Sequence, residues 1–171
     1  MKIFFSFLYF LCIFACPVLA QTNDYSKPRC LEYYKYECPT SENVYYKVNE
    51  ASRSALYVQG QTSKVALDIT NGRDYRISFC IDSIFATGVR FQLVDRYENT
   101  VLYDNAKDNM AQEFEFTVTE TRSIFIVITV PFNVPKSKSG EDGKFGIVRK
   151  DNKMGCVGLL VEYMITPFKG F

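Results

Sequence analysis

The stretch Lys64-Val65-Ala66-Leu67-Asp68-Ile69-Thr70-Asn71-Gly72-Arg73-Asp74-Tyr75-Arg76-Ile77-Ser78-Phe79-Cys80-Ile81 decides the fold class. Lys64 to Ile69 reads as one strand and Tyr75 to Ile81 as another, each rich in the residues that suit a pleated, half-buried surface. Between them stands Asn71-Gly72, a dipeptide that turns the chain tightly because both residues tolerate positive φ. The expectation from this stretch is a β-hairpin. In its second half Tyr75, Ile77, Phe79 and Ile81 share one face. Arg76, Ser78 and Cys80 share the other.

Further runs of the same kind follow on the C-terminal side. Val89 to Val94 leads through a polar turn at Asp95 to Asn99 into the short run Val101 to Tyr103. Glu113 to Thr119 alternates cleanly, with Phe114, Phe116 and Val118 on one side and Glu113, Glu115, Thr117 and Thr119 on the other, the pattern of a half-exposed strand. Ser123 to Val130 is apolar without a break over Ile124 to Ile128, which predicts a central strand covered on both faces. Pro131 ends it, and the Pro-, Ser-, Lys- and Gly-containing segment 133–144 reads as a surface loop. Val157 to Ile165 supplies a last strand before Pro167. Leu31 to Glu37 reads as either a loop or a short helix, and Glu42 to Arg53 as either helical or extended. Seven or eight short strands without an amphipathic helix among them predict an all-β fold, an antiparallel, jelly-roll-like β-sandwich with at most a short N-terminal helix. Residues 21–171 form its single domain.

Residues 1–20 have a different character. Lys2 precedes an apolar run from Ile3 to Phe14, and Pro17-Val18-Leu19-Ala20 places small residues before a polar stretch. That is the layout of a secretory signal peptide cleaved near Ala20. The run is short for a membrane span and no second one follows, so a secreted or periplasmic protein is expected. Ile13-Phe14-Ala15-Cys16 offers the alternative of cleavage before Cys16 and a lipoprotein. Removing residues 1–20 leaves equal numbers of basic and acidic side chains, which gives no electrostatic reason to expect nucleic acid or an anionic membrane as partner.

Cys30, Cys38, Cys80 and Cys156 remain after the signal, an even number bound for an oxidising compartment. Two disulfides are expected, with three connectivities open. A local clip Cys30–Cys38 with a long bridge Cys80–Cys156 is favoured, because Cys80 lies off the apolar face of its strand. There is no C-x-x-C pair and no histidine in the chain, so neither a zinc pattern nor another metal site is expected.

The same missing histidine removes Ser-His-Asp and Cys-His catalysis, and neither a Gly-rich phosphate loop nor another cofactor motif is present. No cofactor is expected. A carboxylate pair is the device left open, and Glu113 and Glu115 lie about 7 Å apart on one strand face. The alternation of their strand explains them as ordinary solvated glutamates. Asp104, Asn105, Asp108 and Asn109 form an oxygen-rich cluster of the kind that can hold calcium. Its spacing lacks the regular calcium-loop pattern, and an ordinary turn accounts for it.

Six tyrosines, Tyr25, Tyr33, Tyr34, Tyr36, Tyr45 and Tyr46, crowd the N-terminal part of the exported chain. Exposed aromatics anchor partners, which makes Tyr33, Tyr34 and Tyr36 the candidate ligand-binding residues. Packing onto the sandwich is the competing account.

Asp74 to Cys80, Leu102-Tyr103-Asp104-Asn105, Gln112 to Thr119 and Gly155 to Met164 together resemble a group of small exported β-sandwich proteins from Bacteroidetes-type bacteria. The resemblance covers the chain from about Ser52 onward. The strand order is also similar to bacterial pre-peptidase C-terminal domains, although no enzyme domain accompanies it in these 171 residues. Both resemblances imply a bacterial, secreted β-sandwich and supply no catalytic residue. The expected function is an exported, non-enzymatic module that binds a protein or cell-envelope component. A carbohydrate-binding module or glycosidase using Glu113 and Glu115 is the alternative.

Overall fold

A computed structural model describes residues 30–85, 88–132 and 153–167. The expected export signal with Cys16, Tyr25 and the loop 133–144 lie outside the described residues. Among these residues a helix α1 (Tyr33–Glu37) precedes nine strands: β1 (Lys47–Val48), β2 (Arg53–Val58), β3 (Thr62–Ile69), β4 (Arg73–Ile81), β5 (Arg90–Asp95), β6 (Val101–Asp104), β7 (Glu113–Val118), β8 (Arg122–Thr129) and β9 (Met154–Ile165). Among the described residues no helix is long and apolar enough to cross a membrane.

Two antiparallel sheets face each other. The first runs β1-β9-β4-β7, with β2 also paired to β9; the second runs β3-β8-β5-β6. β1 and β2 lie end to end along one flank of β9, against Glu162–Tyr163 and Met154–Leu159 respectively. The hairpin β5–β6 is the innermost pair, and β4–β7, β3–β8 and β2–β9 close around it in turn. A chain doubled on itself and then rolled so that successive pairs alternate between sheets is a jelly roll. The all-β sandwich expected from the sequence is the observed architecture.

The Asn71-Gly72 turn forms, but it does not make a hairpin. β3 belongs to the second sheet and β4 to the first, so the turn carries the chain from one layer to the other. Gly72 takes φ +76°, a conformation few other residues adopt at low strain. Its N–H donates to the Val118 carbonyl at 3.0 Å, and its own carbonyl accepts from the Thr166 N–H at 3.0 Å. Each strand therefore finds its partner far along the chain.

The core lies between the layers. Tyr75, Ile77 and Phe79 of β4 and Leu159 and Val161 of β9 meet Phe91 of β5 and Ile124, Ile126 and Ile128 of β8. Phe79 and Phe91 stack across the gap, their ring centroids 3.3 Å apart.

β8 is central, as expected, but only one of its faces is buried. Phe125 and Val127 on the outer face are half-buried, and Phe125 is shielded by the Lys64 ammonium at 5.6 Å and the Arg96 guanidinium at 5.5 Å from its ring centre. Long cationic side chains cover apolar surface while keeping their heads in water. The strands buried on both faces are β4 and β9.

What covers their outer face is the N-terminal segment 30–48, which crosses it as a strap. Two disulfides staple this strap: Cys30–Cys156, with Cα atoms 5.2 Å apart, and Cys38–Cys80, at 4.7 Å. The local clip Cys30–Cys38 and the long bridge Cys80–Cys156 are thus overturned. Cys80 does lie off the core face, together with Arg76 and Ser78, but Cys38 descends onto it from the strap. Both strap cysteines point at the sheet, with α1 between them.

Candidate functional site

The outer face of the first sheet carries a charge node built by strand register. Arg76 of β4 is in register with Glu162 of β9 on one side and Glu115 of β7 on the other. Its side chain is 5% exposed, and its guanidinium reaches Glu162 at 2.5 Å, Glu113 at 2.6 Å and Glu115 at 3.6 Å. Arg76 Nη1 also donates to the Pro39 carbonyl at 2.8 Å, and the Ser41 N–H donates to Glu162. Burial alone would lower the Arg76 pKa. Hydrogen bonds to Glu113 and Glu162 more than offset it, and the pKa stands above its ordinary value. Glu113 and Glu115, the candidate carboxylate pair, thus share one guanidinium that also fastens the strap.

Of the candidate tyrosines, Tyr33 and Tyr34 are half-buried against Cys38, Cys80 and Leu160. Tyr36 points outward and is 77% exposed. The three are not brought to a common surface: two pack the strap, and one is free to touch a partner.

A different cluster of rings lies where the sandwich opens. β7 ends the first sheet and β6 ends the second, and among the described residues no strand pairs with the outer edge of either. Between these edges runs a cleft of about 440 Å³. Phe114 and Phe116 stand two apart on β7, and Tyr103 faces them from β6. Ring centroids are 4.1 Å apart for Tyr103–Phe114 and 5.9 Å for Phe114–Phe116, and Tyr75 continues the stack 5.8 Å beyond Phe116. Tyr103, Phe114 and Phe116 remain half-exposed, and Val101 and Leu102 beside them are 47% and 44% exposed. Glu115, Glu120 and Asp108 line the rim with one cation, Arg122, which is held by Glu120 at 2.6 Å.

On the opposite side of the sandwich, between β2 and β3, a smaller cleft of about 210 Å³ remains. Tyr57 is buried there, with its hydroxyl hydrogen-bonded to Ser63. The β6–β7 edge differs in that its rings, Tyr103, Phe114 and Phe116, are half-exposed where Tyr57 is buried.

Three members of the oxygen-rich cluster after β6, Asp104, Asn105 and Asp108, are engaged in hydrogen bonds. Asp104 accepts from the Arg90 guanidinium (Nε at 3.0 Å), the Gln92 amide at 3.1 Å and the Ala106 N–H at 3.1 Å. Asn105 is buried and pins three backbone groups, those of Phe91, Val89 and Ala111. The Tyr103 hydroxyl donates to Asp108 at 2.8 Å. Burial, that hydrogen bond and the nearby carboxylate charges push the Tyr103 pKa to about 12. Among the described residues no group of three or more metal-ligating acids or cysteines converges.

Asp104 carries a pH prediction. The Arg90 hydrogen bond is the chief cause that holds its carboxyl down to about 2; burial opposes it, and the Ala106 and Gln92 hydrogen bonds assist. A depressed folded-state pKa contributes stability above the ordinary carboxylate value of about 4, lost as pH falls through the folded value. Urea midpoints of the native protein and Asp104→Asn should therefore differ at neutral pH and converge between about pH 4 and pH 2. Curves that stay parallel down to pH 2 would refute the Arg90–Asp104 contribution.

The edge cleft was partly visible in the chain. Phe114 and Phe116 read as inward-facing, and Tyr103 as the end of a short strand. Their meeting depends on β6 and β7 being the outermost strands of different sheets, which no local pattern states.

No family model matches the chain, and no curated protein matches it. Among solved structures it is similar to the crystal structure of Aeromonas hydrophila PliG, a periplasmic lysozyme inhibitor of g-type lysozyme, with 8% sequence identity, 74% of this chain and 92% of that chain covered, and a TM-score of 0.43.

Proposed function

We propose that this chain is an exported, non-catalytic binding domain that takes a protein partner along the open edge between β6 and β7. The observation that carries the reading is the half-exposed Tyr103–Phe114–Phe116 stack between two uncovered strand edges. Aromatic side chains present large contact area at small entropic cost, and buried aromatics dominate the energetics of protein interfaces. An unpaired strand edge adds a row of backbone donors and acceptors that an extended segment can complete. The rim favours a segment bearing Lys or Arg, since three carboxylates line it, Glu115, Glu120 and Asp108, against one cation, Arg122. The non-catalytic part rests on the lack of any histidine and on Arg76, which ties up Glu113 and Glu115.

The test is site-specific photo-cross-linking in envelope extract, with the photoreactive residue at Val101 or Leu102 on the edge, or at Lys64 on the outer face of the second sheet. One protein should be captured from the edge positions and not from Lys64, and the cross-link should map to a segment containing Lys or Arg. Equal capture from both faces, or none from the edge, would sink the proposal. Turnover of any member of a glycan panel, abolished by Glu115→Gln, would replace it with a glycosidase.

A further inference from the structure

We propose a second binding site, at the end of the first sheet, that takes a small amphipathic organic anion: an apolar body ending in a carboxylate. Strand register assembles it. Lys47 of β1 lies opposite Tyr163 of β9, and Arg73 of β4 lies opposite Ile165. Lys47, Tyr163, Arg73 and Ile165 therefore share the inward-facing side of the sheet where the sandwich ends, and the two cations flank β9 from either side. A cleft of about 550 Å³ opens there, in the size range of small-molecule sites.

Its chemistry is one-sided. Lys47 and Arg73 are the charged residues lining it, and among the described residues neither has a carboxylate partner. Glu50 and Asp68 line the groove on the other side of Arg73, but neither closes an ion pair with it. The Arg73 guanidinium lies 4.7 Å from the centre of the Tyr163 ring, which itself leans on Tyr75 at 6.1 Å. A guanidinium laid on an aromatic face keeps its fork of donors free and loses little freedom when it meets a planar carboxylate. Beside the cations lie Tyr45 and Ile165, 74% and 80% exposed, and Met164, whose sulfur accepts from the Asn43 amide at 3.6 Å, also lines the cleft. Large apolar surfaces left open next to unpaired cations match a ligand that is apolar along its length and negative at one end. This site is separate from the β6–β7 edge, so the two readings fail independently.

Decanoate is the probe, titrated into the full-length protein at constant ionic strength and followed by backbone amide shifts. Decanamide, of equal length and no charge, is the control. Decanoate should saturate with shifts confined to β1, Arg73 and Tyr163–Ile165, and should bind about tenfold more tightly than decanamide. Arg73→Gln should weaken it by about tenfold, and Lys47→Gln, at an exposed position that leaves the fold intact, by a few-fold. Equal binding of decanoate and decanamide, unchanged affinity in Lys47→Gln and Arg73→Gln, or shifts that move to the β6–β7 cleft would each overturn the proposal.

Discussion

Arg76→Met should destabilise the protein by about 3–5 kcal/mol, the usual penalty for leaving one partner of a buried ion pair alone. Glu162 is the partner in question. Its side chain is 5% exposed, and among the described residues it keeps, without Arg76, only the Ser41 N–H as a donor. For a chain of this size the loss corresponds to roughly 6–20 °C in Tm. Pro39 loses its donor as well, so the strap should loosen where it crosses the sheet.

The origin of that loss is testable through the second partner. If it comes from an orphaned charge, Arg76→Met combined with Glu162→Leu should recover most of the stability, because apolar replacements of similar volume fit such sites at little net penalty. Glu113→Gln or Glu115→Gln should each lose less than about 1 kcal/mol, since both side chains are half-exposed and water screens their attraction to Arg76. Urea unfolding of the four variants decides the matter. A double variant as unstable as Arg76→Met would show that the hydrogen bond to Pro39, not the buried charge of Glu162, sets the effect.

Much of the sandwich could be read from the chain, because half-buried strands announce themselves by alternation. Seven of the nine strands lie where the pattern over Lys64–Ile69, Tyr75–Ile81, Val89–Val94, Val101–Tyr103, Glu113–Thr119, Ser123–Val130 and Val157–Ile165 puts them. The two that were not resolved, β1 and β2, lie in or beside 42–53, where alternation is weak. β1 is two residues long, and β2 pairs with a strand about a hundred residues away. Pairing was less legible than existence. Asn71-Gly72 says that the chain turns and says nothing about the sheet it turns into. Ile124 to Ile128 says apolar on both sides, yet the outer face is covered by Lys64 of β3 and by Arg96 of the turn after β5. The candidate tyrosines show the same limit: Tyr33 and Tyr36 share a five-residue helix, but only the sheet beneath decides that Tyr33 is half-buried and Tyr36 exposed.

Removing the Cys38–Cys80 bridge should free the strap, and this is the second large effect. Closing loops of 42 and 126 residues corresponds, in the chain-entropy account, to about 4 and 5 kcal/mol for Cys38–Cys80 and Cys30–Cys156 respectively. Measured losses of about 2–5 kcal/mol are expected for either pair changed to alanine. Their local consequences differ. Cys30–Cys156 anchors the strap at its start, whereas Cys38–Cys80 holds its middle against Gly158. A Cβ at Gly158 would collide with the Cys80 sulfur and stand 3.0 Å from the Tyr34 Cα and 3.1 Å from the Cys38 sulfur. Gly158→Ala should therefore be costly in the native protein and markedly cheaper once Cys38 and Cys80 are alanine, because the colliding sulfurs are gone and the freed strap can lift Tyr34 away. In the Cys30/Cys156 variant the collision persists, so the full penalty should remain. Urea denaturation of this cycle, with peptide mapping under non-reducing conditions to verify the two pairings, reads both claims. Equal penalties for Gly158→Ala in all three backgrounds would mean that the strap does not bear on the sheet through that bridge.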